Sequence, residues 1–305
     1  MSLQGGLRVE RMCQLAGVSR AGFYRRLQAT EPVAEDMELR AAIQQIALEH
    51  RGRYGSRRIL QVLRDRGWKV NRKRVMRLMR EDNLLAIQPQ SFVVTTNSNH
   101  PLEVYLNLAR RMKLTGINQL WVADITYIRL QSEFVYLAVV LDVFSRKVVG
   151  WALERTLKTV LVVEALQRAI GERQPPPGLV HHSDRGVQYA CADYVALLRQ
   201  SAMIPSMSRP GNPYDNAFCE SFMKTLKREE VYANRYRDLE DLRNHLELFI
   251  EQYYNRQRLH SALQYCSPEQ FEQQVASQLE FPLGPTVEFF RPPSAIGAAL
   301  REGRA

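Results

Sequence analysis

The stretch from Leu120 to Glu154 constrains the fold more than any other part of the chain. Three runs, LWVADITYIRL, EFVYLAVVLDVF and KVVGWALE, are rich in β-branched and aromatic residues and are separated by short QS and SR turns. They predict an antiparallel meander of three strands. A helical period follows over about 158–172, where Val162, Val163, Leu166, Ala169 and Ile170 share a face. The loop QPPPG then leads into a fourth strand, GLVHHS. A strand reached through a helical crossover lies parallel to the strand it joins. Helices at about 190–201, 214–230 and 238–256 close the region. The order β-β-β-α-β-α predicts an α/β fold, a mixed sheet flanked by helices, over residues 119–276.

The chain ahead of this core has a different texture. Within residues 1–30, RVERMCQLAGVSRAGFYRRLQ reads as two short helices. Val9, Met12, Leu15 and Ala16 share one face, Gly17 ends the first helix and Ser19 caps the second, turning Phe23 and Leu27 inward. The pattern recurs over 35–87 as a three-helix module. A helix at about 36–50 carries Leu39, Ile43, Ile46 and Ala47; SRRILQVLRDR carries Ile59, Leu60 and Leu63 and breaks at Gly67; Asn71 caps RKRVMRLMRED, which carries Val75, Leu78 and Met79. Both modules are all-α outlines of a helix-turn-helix, each with a basic second helix.

Charge supports a nucleic-acid partner at this end. Residues 1–118 hold 21 Lys and Arg against 10 Asp and Glu, a net of +11, and the remainder holds 21 against 22, a net of −1. The excess marks a polyanion-binding half, with Arg20, Arg25, Arg57, Arg58, Arg72, Arg74 and Arg77 as the expected DNA contacts. Residues 88–118 lose the helical period and read as a linker, while 277–305, rich in Pro, Gly and Ala, read as a flexible tail. No window approaches a membrane span. The cysteines Cys13, Cys191, Cys219 and Cys266 form no CxxC pair, which argues against a zinc ribbon and suits the cytoplasm, with the nucleoid as the place of work.

Three acids occupy unusual places. Asp124 lies inside the first strand, where aspartate is disfavoured, and Asp184 ends the fourth. Parallel neighbours would bring these two carboxylates to one point. Glu220 lies on the helix NAFCESFMKTLKRE, whose inward stripe is Phe218, Phe222 and Leu226. Glu220, Lys224 and Lys227 share the opposite side at i, i+4 and i+7. Clustered carboxylates repel unless a cation sits between them, and hard oxygen ligands suit Mg²⁺ or Mn²⁺. Two such ions activate the attacking oxygen and stabilise the leaving one in displacement at phosphorus. Lys224 and Lys227 are then expected to hold DNA phosphates.

These motifs resemble the DDE transposase and integrase family, and most closely the bacterial insertion-sequence transposases of the OrfB type, whose catalytic domain is similar to retroviral integrase. WVADITYI, HHSDRGVQY and the glutamate of NAFCESFMKTLK stand for the D, D and E. LDVFSRKVVGW, SRPGNPYDNA and YYNRQRLHSALQYCSPEQF add to the likeness, which covers roughly residues 35–272. The resemblance implies an RNase H-like core, Asp124, Asp184 and Glu220 as the catalytic, metal-binding triad, and metal-dependent nicking of element ends followed by 3′-hydroxyl attack on double-stranded target DNA. It implies a dimer or larger assembly on DNA, and a fusion or partnership with an upstream DNA-binding frame. The zinc module of the retroviral relatives is replaced by the helix-turn-helix pair.

Around the triad, Asp142 is expected to cap its turn and pair with Arg146 or Lys147. Of His181 and His182 one is core and the other supports the site; His182 is assigned the supporting role. Arg209, Gly211, Asn212 and Asn216 form either a loop over the DNA end, with Arg209 touching DNA, or a plain connector with Asn216 at a helix start. The 35 residues between Asp184 and Glu220 accommodate a helix, a short strand and that loop. Two other classes of function fit part of this pattern: a non-catalytic helix-turn-helix regulator, and an RNase H-like nuclease that hydrolyses without joining.

Overall fold

Helical punctuation shapes the N-terminal unit as the sequence predicts. Val9–Leu15 (α1) ends at Gly17, whose φ of +63° is the left-handed conformation that glycine adopts without cost, and Arg20–Leu27 (α2) follows. The computed structural model describes residues 9–15, 17, 19–27, 34–82, 84, 103–131, 133–209 and 213–280 in two compact units, Met1–Gln88 and Pro89–Ala305. Ala16, the side chains of Met12, Arg25 and Leu27, residues 88–102, Gly211, Asn212 and residues 281–305 lie outside the described residues. On α1, Cys13 is buried while Leu15 is 68% exposed, so Leu15 does not face inward as expected.

Ala34–Glu49 (α3), Ser56–Asp65 (α4) and Arg72–Glu81 (α5) form the second helical module. Its core is the expected one: Leu39, Ile43 and Ile46 of α3, Ile59 and Leu63 of α4, and Val75 and Leu78 of α5. Asn71 caps α5 by accepting from the Arg74 amide at 2.9 Å. Ion pairs join α5 to α3. Arg74 and Arg77 both reach Asp36, at 2.9 and 3.0 Å, and Arg40 meets Glu81 and Asp82.

The second unit is built on a five-stranded sheet of order β3-β2-β1-β4-β5. Leu120–Arg129 (β1), Phe134–Asp142 (β2) and Val148–Glu154 (β3) form the antiparallel meander; Thr159–Arg173 (α6) crosses over to Val180–Ser183 (β4), which lies parallel to β1. Gly150 of β3 permits this crossover. A Cβ there would stand 2.2 Å from the Ala165 carbonyl oxygen of α6, so only glycine lets the helix approach. Val187–Ala190 (α7) and Ala192–Gln200 (α8) replace the single helix expected at 190–201, and Ile204–Met207 (β5) adds a parallel edge strand.

A 3₁₀ turn, Pro213–Asn216, opens Ala217–Leu226 (α9), which continues into a π-helical turn, Lys227–Val231. Leu239–Glu247 (α10) likewise runs into a π-helical segment, Leu248–Tyr254. Pro268–Glu280 (α11) continues past residue 276, where the sequence reading ended the core, and is tied to α6 by Arg173, which grips Glu272 with two bonds of 2.8 Å. The described part of the expected linker lies along this unit, where the Leu108 amide donates to Ser206 Oγ at 2.9 Å.

Candidate active site

Sheet register builds the site. Val122 of β1 stands opposite His182 of β4, and the parallel strands carry Asp124 and Asp184 two residues further on. The Asp124 carboxylate is deeply set. Burial, first of all, pushes its pKa up to about 7, and the negative charges of Asp184 and Glu220 add to the rise, while the Ile125 amide and Lys227 pull the other way. Asp124 Oδ1 accepts from Ile125 N–H and Asp184 Oδ1 from Gly186 N–H, each at 2.9 Å. A Cβ on Gly186 would stand 2.9 Å from Asp184 Oδ1, so a larger residue would make that carboxylate shift.

Glu220 rides on the first turn of α9. That helix seats Cys219, Phe222, Met223 and Leu226 against the sheet, and Asn216 pins its start by donating from Nδ2 to the Ala123 carbonyl at 3.0 Å. The Asn216 orientation follows from that bond, since a flipped amide would set two oxygens together. Asn216 Oδ1 is buried without a hydrogen-bond partner among the described residues. Phe218, expected inward, is half-buried, with the Arg146 guanidinium 4.1 Å from its ring centroid. Lys224 Nζ donates to Glu220 Oε2 at 3.0 Å. Among the described residues no three His, Cys, Asp or Glu side chains already close on one point as a metal cluster. The two aspartates and Glu220 feel one another's charge, but Glu220 is turned to its lysine.

Several expected site residues have other work. Lys227 is buried, its amine 4.8 Å from the Tyr127 ring centroid, rather than open beside Lys224. The seven-residue spacing assumed a continuing α-helix, whereas Lys227 opens a π-helical turn and is turned against β1. Arg209 does not extend freely toward DNA. It clasps Asp215 with its amide, Nε and Nη2 at 3.0, 3.0 and 2.9 Å, and holds the Asp215 carboxyl well below the usual range.

Asp142 caps its turn, accepting from the amides of Asn118, Phe144 and Ser145. It pairs with neither expected cation, for Lys147 reaches Glu172 at 3.2 Å and Arg146 turns to Phe218. His182 bonds Ser206 Oγ and Ser208 Oγ, at 2.9 and 3.0 Å, and so joins β4 to β5 and the residue beyond it. His181 faces Tyr194 OH at 3.0 Å. Burial holds both imidazoles low, at about 3 for His181 and about 4 for His182.

Of the N-terminal arginines expected on DNA, Arg74 and Arg77 hold α5 to α3, Arg20 lies 3.7 Å from Glu10, and Arg58 lies over the Tyr54 ring. Arg57 and Arg72 are exposed. Sequence reasoning passed over Glu229, which forms a buried bidentate pair with Arg258 at 2.9 and 2.8 Å; Arg258 itself reads in sequence as either a DNA contact or the end of the last helix. Sequence reasoning also passed over Tyr189, whose hydroxyl is buried without a partner among the described residues. The signal for the pair was available: an acid pair, EE, on the buried side of a helix, and an arginine in an otherwise packing-rich motif.

A mixed sheet carrying one acid within its central strand and a second just past the parallel neighbour, with a third acid on a later helix, defines an integrase-core phosphoryltransferase of the DDE class. Comparison with known proteins agrees. Residues 115–213 and 202–268 match integrase core domains, and residues 34–92 match an HTH-like domain. The insertion element IS600 uncharacterized 31 kDa protein of Shigella sonnei is 40% identical over 265 residues, covering 86% of this chain and 97% of that protein. The transposase for insertion sequence element IS904 of Lactococcus lactis is 42% identical, covering 73% and 89%. The transposase InsF for insertion sequence IS3A of Escherichia coli is 35% identical, covering 88% and 95%. The chain therefore belongs to the IS3 family of insertion-sequence transposases, with an HTH-like region ahead of an RNase H-like integrase core. Among solved structures, the HTLV-2 integrase catalytic core domain in complex with magnesium matches with a TM-score of 0.41 and 15% identity, covering 52% of this chain and 97% of that one. A simian T-cell lymphotropic virus intasome matches with a TM-score of 0.45 and 16% identity, covering 82% and 78%. No helix among the described residues is long and apolar enough to cross a membrane.

Proposed function

We propose that this transposase cuts at the ends of its insertion element and joins the freed 3′-hydroxyl to target DNA, with Asp124, Asp184 and Glu220 as the acids of a divalent-metal centre. The observation that supports this most is the parallel β1–β4 register that carries Asp124 and Asp184, with burial first and then like charge raising Asp124. The donor set fits the group: every candidate ligand is a hard carboxylate oxygen, and the crowded negative charge calls for a cation. One or two Mg²⁺ or Mn²⁺ ions, when bound, supply the Lewis acidity that activates an attacking oxygen and stabilises a leaving one.

The chain's own residues do the rest. Backbone amides fix one oxygen each of Asp124 and Asp184. Glu220 joins them by exchanging its ion pair with Lys224, which frees that ammonium for a backbone phosphate of the element end. The modules at 1–30 and 35–87 grip the ends, and the integrase core carries the chemistry. Two or more protomers then pair two DNA ends, together with an upstream DNA-binding frame. The test uses labelled element ends with Mg²⁺. Glu220→Gln is expected to bind DNA normally yet neither cleave nor join; joining at the wild-type rate would sink the triad.

A further inference from the structure

Asn216 stands immediately ahead of the first turn of α9. Asparagine ordinarily serves such a place by accepting a hydrogen bond from an amide two or three residues on. Here it does not. The Asn216 side chain makes no bond to its own helix start and turns instead to β1, where Nδ2 donates to the Ala123 carbonyl at 3.0 Å. Its other end is left bare, because Oδ1 is buried with no hydrogen-bond partner among the described residues. A helix cap has been given up for one bond across to the sheet.

The place of that bond explains its use. The β1–β4 ladder runs from Leu120–Val180 to Val122–His182, so Ala123 is the first residue of β1 beyond it. β4 ends there at Ser183, just before Asp184, and the next residue along β1 is Asp124. One residue earlier on β1, the Val122 carbonyl accepts from Cys219 Sγ at 3.4 Å. The start of α9 is therefore stitched to the two β1 residues that precede Asp124. Helix residues four apart are surface neighbours, about 5–6 Å between Cβ atoms, which puts Glu220 one turn along from Asn216.

We propose that Asn216 is a positioning residue for the metal centre: its amide ties α9 to β1 and so sets how far Glu220 stands from Asp124 and Asp184. This rests on the reading of those three acids as ligands of a divalent ion. Groups behind a metal ligand generally hold it in this way, and their loss weakens metal binding without removing a ligand.

The test uses the full-length protein with Mn²⁺ alone as the probe. Asn216→Ser keeps a capping hydroxyl at the helix start but loses the reach to Ala123. Calorimetric titration is expected to show its Mn²⁺ affinity reduced about ten-fold, while its metal-free melting temperature stays close to that of the wild type. Asn216→Ala, which can neither cap nor reach, is expected to melt lower yet bind Mn²⁺ as Asn216→Ser does. In a Glu220→Gln background, Asn216→Ser is expected to change Mn²⁺ binding no further, because it acts through that side chain. Wild-type Mn²⁺ affinity in Asn216→Ser would overturn the proposal, and so would an undiminished loss in the Glu220→Gln background. Should Asp124→Asn bind Mn²⁺ as tightly as the wild type, the metal centre itself falls, and this inference with it.

Discussion

The core buries carboxylates in two places and treats them in opposite ways. Behind α9, Glu229 is gripped by Arg258 through two bonds, at 2.9 and 2.8 Å, and touched by Arg228 at 2.8 Å. Its neighbour Glu230 meets His245 at 3.1 Å and Asn234 at 2.8 Å. On β1 and just past β4, by contrast, burial and the like charges of Asp184 and Glu220 press on Asp124, with the Ile125 amide and Lys227 offsetting part of the rise. In the first arrangement each buried carboxylate is met by donors inside the fold, and Glu229 by a full counter-charge. In the second, burial and like charge together raise Asp124, the pattern of a site that takes a cation.

Matching amide substitutions at the two places offer the sharpest way to break this comparison. Asp184→Asn removes one like charge while keeping an oxygen for the Gly186 amide. Cleavage and joining are expected to fall about a thousand-fold or more, as several kcal/mol of transition-state stabilisation is lost. The metal-free protein is expected to melt at the same temperature or higher. Glu229→Gln makes the same chemical change where the charge is matched, and leaves Arg258 a buried cation without its anion. Its stability is expected to fall by about 3–5 kcal/mol. Denaturant melts of the two variants side by side decide the matter, and equal losses would erase the distinction.

Much of this was legible beforehand, and the reason is local. Strand runs, the crossover and the parallel register follow from composition and chain order, and they place Asp124 beside Asp184 without further information. Spacing put Glu220 on a helix beside Lys224, but its grouping with the two aspartates came from the family resemblance. The gaps arose where the answer depended on what stands opposite a side chain. Spacing set Lys227 outward beside Lys224, but a π turn and Tyr127 of β1 decide that it is buried. Arg209 reads as a free cation until Asp215, six residues on, is found folded back against it. The Glu229–Arg258 pair joins residues 29 apart across two π-helical segments, and no period in the sequence announces a π turn.

The histidines of β4 extend the comparison to cations that are kept neutral. His181 titrates at about 3 in the fold against an ordinary 6.5, because burial opposes its charge. Between those values the unfolded chain holds a proton that the native chain does not, so stability rises with pH. It is fully present above about 6.5 and is lost as pH falls toward 3, at up to about 1.4 kcal/mol per pH unit for one such group. Replacing His181 with Asn is expected to lower overall stability, through the lost Tyr194 contact, but to flatten this slope. An unchanged slope in pH-dependent melts would place the acid sensitivity elsewhere.

The smallest effect comes from the pair most like Glu229–Arg258 on paper. Arg209 also grips its acid with two nitrogens, yet its side chain is 44% exposed where that of Arg258 is 4% exposed. Water solvates the guanidinium, but the Asp215 side chain is only 4% exposed and loses its cation when Arg209 is removed. Arg209→Ala is therefore expected to cost about 1–3 kcal/mol, less than the loss at the fully buried pair. The direction of its salt dependence separates its two possible employments. A clasp that merely braces the ends of its turn weakens as salt rises, and DNA affinity in Arg209→Ala keeps the wild-type salt slope. A residue that leaves Asp215 to meet a phosphate would reduce that slope by about one ion. Measuring binding to element-end DNA over a range of salt concentrations distinguishes them. The geometry, with three of its donors committed to one carboxylate, favours the clasp.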